Sequence, residues 1–214
     1  MVGPRVGIVI PALNEAATIE AVVRQSAVFG TPIVVDDGSS DDTGHIAAAA
    51  GAVVVRHERN SGYDSSLNSG FRRAAALDFD MVVTIDADGQ HDPQLIKQCL
   101  ELLEDGADFV VGVRHKRQRF AEYIFAFVTR TLYGLQDPLC GFKGYRMAFY
   151  HALGHFDSYG SIGTELALFG ARNGYSFRQL PVFARDRQGN PRFGQGLQAN
   201  YKILRSLLRA FWKR

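Results

Sequence analysis

The stretch MVVTIDADGQHDPQLI, Met81 to Ile96, passes from an apolar run into three aspartates, Asp86, Asp88 and Asp92, with Gln90 and His91 among them. A short, β-branched apolar run that stops at turn residues reads as a buried strand. Pro93 then falls near the first turn of a following helix, where a missing N–H costs nothing. Along an extended strand end, residues i and i+2 point the same way, so Asp86, Asp88 and Gln90 share one side. Two carboxylates that close repel unless a cation neutralises them or one takes up a proton. From this stretch alone, a solvated acidic turn and a site for a hard divalent cation both stay open.

The flanking sequence repeats the strand-then-helix pattern. Strands are expected over RVGIVIPA, PIVVDDGS, AVVVRHE and ADFVVGVR, and helices over NEAATIEAVVRQSAVF, SDDTGHIAAAAGA, GYDSSLNSGFRRAAAL and DPQLIKQCLELLEDG. Ser40 or Asp41 is the expected cap of the second helix. Strands alternating with helices of this length imply βαβ units and a mostly parallel central sheet flanked by helices, an α/β fold. In such sheets ligands lie beyond the carboxyl ends of the strands, at a topological switch point. Three strand ends carry polar clusters, Pro11–Glu15, Asp36–Ser39 and Asp86–Asp92, and all three fall on the same edge. After Arg114 the chain turns aromatic and helical in RFAEYIFAFVTRTLYGL, then runs through a turn-laden link, DPLCGFKGYR. A helix (GTELALFGARNGY), a strand (SFRQLPVFAR) and a Gly-rich loop (DRQGNPRFGQG) follow, and a basic amphipathic helix closes the chain. One domain over 1–214 is expected, with an α/β half to about residue 114 and an elaborated half beyond it.

Composition narrows the function classes. With 214 residues, 46% hydrophobic and 21% charged, the chain has the make-up of a globular protein. A net charge of +2 argues against nucleic acid as a partner. The last thirty residues hold eight Arg or Lys and a single acid, Asp186. Cys99 and Cys140 match no redox pair or zinc knuckle and read as core thiols of a reducing compartment. No run reaches the roughly 18 apolar residues needed to span a bilayer, and the N-terminus lacks a signal-peptide pattern. The expected location is the cytoplasm, and the segment Leu197–Arg214 reads either as a helix resting on the cytoplasmic face of a membrane or as one docked on the protein with a solvated basic face.

Taken together, VIPALNEAATI, VVDDGSSDDT, RNSGYDSSLNSG and DADGQHDP resemble, in order and spacing, the family 2 inverting glycosyltransferases. DPLCGFKGYR is similar to the link that follows in the dolichol- and polyprenyl-phosphate sugar transferase branch. The resemblance covers about residues 5 to 185. It implies a GT-A fold, a nucleotide-sugar donor (GDP-, UDP- or dTDP-linked) and Mg²⁺ or Mn²⁺. Carried over by position, it implies donor contacts from Pro11, Asn14, Glu15, Asp36, Asp37, Gly62, Asp86, Ala87 and Asp88. Asp86, Asp88 and Gln90 match the metal-centred motif, and Arg114 a basic residue near the reacting phosphates. Arg130, Cys140, Gly141, Phe142 and Lys143 fall where that branch contacts the acceptor phosphate, and Glu165 lies in a helix carrying an acid near the acceptor. YDSSLN, Cys140 and Lys143 depart from the family pattern; a Lys brings charge to a phosphate but no bidentate fork.

The implied reaction is inverting sugar transfer to a polyprenyl-phosphate or other lipid-linked acceptor. A phosphate acceptor is already an anion, whereas a sugar hydroxyl needs a carboxylate to take its proton. Asp137 and Glu165 are the candidate bases, and His57 and His91 read as hydrogen-bonding scaffold. Transfer to a hydroxyl of a polysaccharide or glycolipid, a nucleotidyltransferase and a non-catalytic sugar-nucleotide-binding protein are the alternatives.

Overall fold

The computed structural model describes residues 3–92, 94–183 and 197–212. The Gly-rich loop at 186–196 and Pro93 lie outside them. Seven strands form one sheet in the order β3-β2-β1-β4-β6-β5-β7. These are β1 Val6–Ala12, β2 Thr31–Asp36, β3 Val53–Arg56, β4 Met81–Thr84, β5 Phe109–Arg114, β6 Lys143–Arg146 and β7 Phe177–Val182. Their register runs, for example, Ile10 to Val34 between β1 and β2, and Val9 to Thr84 between β1 and β4. The chain order reverses beside β1, which is the switch point an open α/β sheet uses for ligands.

Among the described residues eight helices cover the sheet: α1 Ile19–Ser26, α2 Thr43–Ala49, α3 Tyr63–Ala76, α4 Gln94–Glu104, α5 Phe120–Tyr133, α6 Met147–Leu153, α7 Glu165–Arg172 and α8 Leu197–Trp212. Helices α1, α2 and α4 bury one face of the sheet with Ile8, Ile10, Val34, Val83 and Val110. Helices α3, α5, α6, α7 and α8 bury the other, around Phe71, Phe109, Phe125, Tyr145 and Phe156. The middles of β1, β2, β4 and β5 are apolar because they are covered on both sides. The second helix starts at Thr43 with Asp42 at the capping position, not Ser40 or Asp41, and the Asp42 side chain makes no capping bond. Instead the Thr43 N–H donates to Asp41 Oδ1 at 3.1 Å.

The link DPLCGFKGYR departs from expectation. Its second half is β6, a strand antiparallel to both neighbours and set between β4 and β5. A four-residue strand carrying Lys, Gly and Arg has no apolar run to announce it. Close packing explains its composition. A Cβ on Gly144 would lie 2.2 Å from Cys99 Sγ, so α4 crosses here on bare backbone. Arg146 donates to the carbonyls of Ala107 and Leu103, closing the turn after α4. Antiparallel β6 starts, rather than ends, at the carboxyl edge of the sheet, which delivers residues 137–143 to the same edge as the acidic strand ends.

No helix among the described residues is long and apolar enough to cross a membrane. Two helices are nonetheless unusually apolar outside. On α5, Phe120, Tyr123 and Phe127 are exposed at helical spacing, and Arg130 continues the stripe. On α8, Leu197, Tyr201, Leu208 and Trp212 are exposed, the last at 95%. The opposite face of α8, Ala199, Ile203, Leu207 and Ala210, is buried. Helix α8 is therefore docked through one apolar face and presents a second one outward.

Candidate active site

Three loops meet at the carboxyl edge and bind one another before any ligand is considered. Asn14 follows β1 with φ of 50°, a left-handed conformation that Asn tolerates. Its N–H donates to Ser39 Oγ at 2.9 Å, and its Oδ1 accepts the Ser40 N–H at 2.7 Å. The Glu15 N–H donates to Thr43 Oγ1 at 2.8 Å. The Thr18 hydroxyl donates to the Ala87 carbonyl at 2.8 Å, fastening the first loop to the Asp86–Asp88 turn. Pro11 pairs with Val35 at the end of this ladder.

Asp36 and Asp37 divide between burial and loop-building. Asp36 is fully buried; its Oδ1 accepts the Ser39 N–H at 2.9 Å, and Arg56 Nε stands 3.5 Å from its Oδ2. That Oδ2 has no hydrogen-bond partner among the described residues and would be 2.5 Å from a Cβ on Gly44. Asp37 accepts the N–H groups of Ser61 and Gly62, each at 2.8 Å, and pairs with His57 Nδ1 at 2.7 Å. His57 Nε2 reaches Ser69 Oγ at 2.9 Å, so both ring nitrogens of this histidine are held by protein groups. Gly62, at φ of 94°, opens α3 from the loop that Asp37 holds.

The opening stretch forms the centre of the edge. Asp88 is buried, and its Oδ1 accepts the Gln90 N–H at 3.1 Å, an Asx turn that brings Gln90 back towards the strand end. The Asp86 N–H donates to His91 Nδ1 at 3.3 Å, and the His91 ring sits edge-on to Phe142. Asp86 keeps its carboxylate about one-third exposed. That carboxylate lies against Gly141, where a Cβ would stand 2.5 Å and 2.7 Å from its two oxygens. Among the described residues no group of three His, Cys, Asp or Glu is placed to hold a metal ion. Two carboxylates and the Gln90 amide suit Mg²⁺ or Mn²⁺, which take few protein ligands and complete their shell from a substrate's phosphates.

Beside Asp86 lies a buried charge network. Arg114 donates through Nε and Nη2 to the two oxygens of Asp137 at 2.8 and 2.9 Å, a bidentate fork. Asp137 also accepts the Arg114 N–H at 3.1 Å, and Glu122 stands 3.3 Å from Nη2. Asp137 and Glu122 are buried, whereas the Arg114 side chain keeps 21% exposure at the edge. The Lys143 ammonium is buried and donates to the Cys140 carbonyl. Burial pulls its pKa down, against the upward pull of Cys140, Asp137 and Asp86. Cys140 is buried with its Sγ against Gly112, and burial pushes the thiol up to about 12, so it is no nucleophile at neutral pH.

The structure thus gathers Asn14, Glu15, Asp36, Asp37, Gly62, Asp86, Ala87, Asp88, Gln90, Arg114, Asp137, Cys140 and Lys143 around one edge. Arg130 is not among them; it is exposed on the outer face of α5. Glu165 starts α7, and its carboxylate accepts the Ser158 N–H and hydroxyl and pairs with His155 Nε2 at 3.1 Å. Gly141, which the resemblance sets among the acceptor contacts, makes room for Asp86; two contributors escaped sequence reasoning, Glu122 and Thr18. Only the last carried a signal, as a hydroxyl just before a helix.

An α/β sheet of this order with acid-bearing strand ends at its switch point is the GT-A-like fold of a glycosyltransferase. Residues 7–158 match the model of glycosyl transferase family 2, and the chain belongs to that family. An uncharacterized protein of Methanocaldococcus jannaschii is 26% identical over 94% of this chain and 90% of its own. The UDP-N-acetylglucosamine–dolichyl-phosphate N-acetylglucosaminyltransferase of Methanococcus voltae is 32% identical over 52% of this chain. The undecaprenyl-phosphate 4-deoxy-4-formamido-L-arabinose transferase of Sodalis glossinidius is 32% identical over 71%. The matched segments span about half of those two enzymes, 53% and 52%. Among solved structures, glucosyl-3-phosphoglycerate synthase of Mycobacterium tuberculosis with phosphoglyceric acid superposes with a TM-score of 0.79. The identity is 25%, with 97% of this chain and 80% of that one covered. The same enzyme has been solved with Mn²⁺, UDP and phosphoglyceric acid.

Proposed function

We propose that this glycosyltransferase transfers a sugar, with inversion, from a nucleotide-sugar donor to a polyprenyl-phosphate or other lipid-linked acceptor. The observation that carries the acceptor class is the state of the two candidate bases. Asp137 gives both oxygens to Arg114, and Glu165 is bound to Ser158 and His155. An acceptor phosphate attacks as an anion and needs neither. Residues 1–114 then form the donor half and 115–214 the acceptor half. A uridine diphosphate donor is supported by the UDP-bound neighbour and by the donor in the name of the Methanococcus relative.

Asp86, Asp88 and Gln90 would hold Mg²⁺ or Mn²⁺. When bound, a divalent ion neutralises charge gathering on the departing diphosphate. Arg114 works in the same direction from the protein. Its Nη1 makes no hydrogen bond with the described residues, and Asp137 fixes the guanidinium plane that presents it. A preset cation costs no reorganisation as charge develops. Lys143 stays behind as a buried countercharge to Asp86 and Asp137. The loops held by Asn14, Glu15 and Asp37 are preformed, so the nucleoside pays little ordering entropy.

The test is a transfer assay with UDP-, GDP- and dTDP-sugars plus Mg²⁺ or Mn²⁺, offered undecaprenyl phosphate or phosphoglyceric acid. Transfer to the lipid phosphate is expected, with Asp88→Ala losing on the order of a hundredfold in rate. Transfer to phosphoglyceric acid alone would overturn the lipid reading. Full activity of Asp88→Ala would overturn the metal role.

The outer stripes of α5 and α8 fit a membrane surface. Their exposed apolar residues are joined by Arg130, Lys202, Arg205 and Arg209, and the only acid on either helix, Glu122, is buried. Binding to vesicles containing phosphatidylglycerol is expected to exceed binding to phosphatidylcholine and to weaken with salt. Replacing Phe127 and Trp212 by Ser should reduce it at least tenfold; equal binding by that variant removes this face from the reading.

A further inference from the structure

The segment between α6 and α7, residues 154–164, carries an unusual hydrogen-bond pattern. Eight of its eleven amides donate to a side chain. Asn68 Oδ1 accepts the N–H groups of Phe156 and Asp157 at 3.0 and 3.2 Å, and Asn68 Nδ2 donates to the Asp157 carbonyl at 2.7 Å. Asp157 accepts the N–H groups of Gly160 and Ser161 at 2.8 and 2.7 Å. Asp64 accepts those of Ile162 and Gly163 at 3.2 and 2.6 Å. Ser161 Oγ accepts those of Thr164 and Glu165, each at 3.0 Å.

The loop is also strained. Gly160, Ile162 and Gly163 all have φ near 60–70° (73°, 58° and 69°). A β-branched residue in that region is rare and persists only where the surroundings over-determine it. Asp64 supplies that determination through the Ile162 and Gly163 amides. Asp64 and Asn68 belong to YDSSLN, the part of α3 that departs from the family pattern, and they reach nearly a hundred residues along the chain. The inner side of the loop rests on the active edge: a Cβ on Gly163 would stand 3.2 Å from the Tyr63 ring and 3.9 Å from Lys143 Nζ.

We propose that Asp64 and Asn68 are positioning residues that clamp the 154–164 loop over Lys143, presetting the wall against which the acceptor binds. Naming that wall for the acceptor rests on the reading of the function above; the clamp itself does not. The clamp is responsive to pH. Burial, and then the neighbouring Asp157, raise the Asp64 pKa to about 6, against the lowering effect of the two amides and of Lys143. Tyr63 is the other titratable group beside it. The sign follows from the raised value: ionised Asp64 is worse off in the closed clamp than in water. The closed state therefore gains as pH falls through about 6 and loses that gain as pH rises. Full hydration on opening makes closure on the order of tenfold more favourable at pH 5 than at pH 7.5.

Hydrogen exchange of the 154–164 amides, corrected for intrinsic rates, reads this directly. In the wild-type chain, protection should fall by up to about tenfold from pH 5 to 7.5. Asp64→Asn should abolish that dependence. Asn68→Ala should exchange faster at every pH while keeping the dependence. With UDP-glucose as donor, Asn68→Ala should raise KM for undecaprenyl phosphate about tenfold and leave donor KM unchanged. Retained pH dependence in Asp64→Asn, or equal exchange in all three proteins, overturns the clamp. If exchange behaves as stated but no chain transfers sugar to undecaprenyl phosphate, the clamp stands and the acceptor reading fails.

Discussion

Gly141→Ala is expected to reduce turnover on the order of a hundredfold while leaving the fold intact. The added Cβ would sit 2.5 Å from Asp86 Oδ2, 2.7 Å from Oδ1 and 2.9 Å from Cγ, far inside van der Waals contact. Gly141 is not in the left-handed region, so alanine meets no backbone penalty. The conflict is confined to the carboxylate. Asp86 is one-third exposed and escapes by rotating into solvent, which takes it away from its position beside Asp88. Losing one preset charge-stabilising contact costs about 3 kcal/mol of barrier, hence the expected magnitude. Stability should change by less than about 1 kcal/mol, since a partly exposed group moves. Mn²⁺-dependent transfer rates and thermal melting, measured together, check both halves. The double variant Gly141→Ala with Asp86→Ala should be no slower than either single one, because the two changes remove the same contact. A rate within twofold of wild type would show that the Asp86 position is immaterial.

The second large effect concerns Asp137, where two roles predict different outcomes. As the partner of Arg114, it neutralises a mostly buried guanidinium through two hydrogen bonds. Removing one member of a buried pair costs about 3–5 kcal/mol, because the remaining charge is stranded. Glu122, 3.3 Å away, and the partial exposure of Arg114 bring the expectation for Asp137→Ala to the lower end, about 3 kcal/mol. For a chain of this size that lowers Tm by roughly 6–12 °C. As a general base, Asp137 would instead show a large loss of rate with little loss of stability. Calorimetry and the transfer assay on one preparation distinguish these, and a variant as stable as wild type refutes the pairing role.

Much of this architecture is legible in the sequence because the two signals involved are local. Apolar strand runs and 3.6-residue helix periodicity place β1–β5, β7 and most helices, and the acid clusters at strand ends then fall on one edge. What escapes is non-local. Strand β6 reads as a loop because its stability comes from neighbours on both sides, 59 residues away on β4 and 32 away on β5 through the Thr84–Lys143 and Val111–Lys143 pairs. The same holds for the Asp137–Arg114 fork and for Asp64: nothing local distinguishes a carboxylate that will bind a guanidinium or two amides from one left to act on a substrate. The outward apolar stripe of α8 was half visible. Its sequence shows basic and apolar residues intermixed, but only packing tells which apolar face is already covered.

The insertion of β6 also bears on the order in which the molecule assembles. Strands β1 to β4 form a continuous parallel ladder through βαβ crossovers, all within the first 84 residues. Strand β5 cannot join that ladder directly, because β6 occupies the place between it and β4. Until residue 146 is available, β4 is an open edge able to pair with another chain. Such non-local pairing is slow, since loop closure must precede the contacts that reward it. Synthesis from the N-terminus therefore supplies Asp36, Asp37, Asp86 and Asp88 well before Gly141 and Lys143, which reach Asp86 only through β6. The edge facing Asp86 is thus completed from the second half of the chain, by the strand that closes β4.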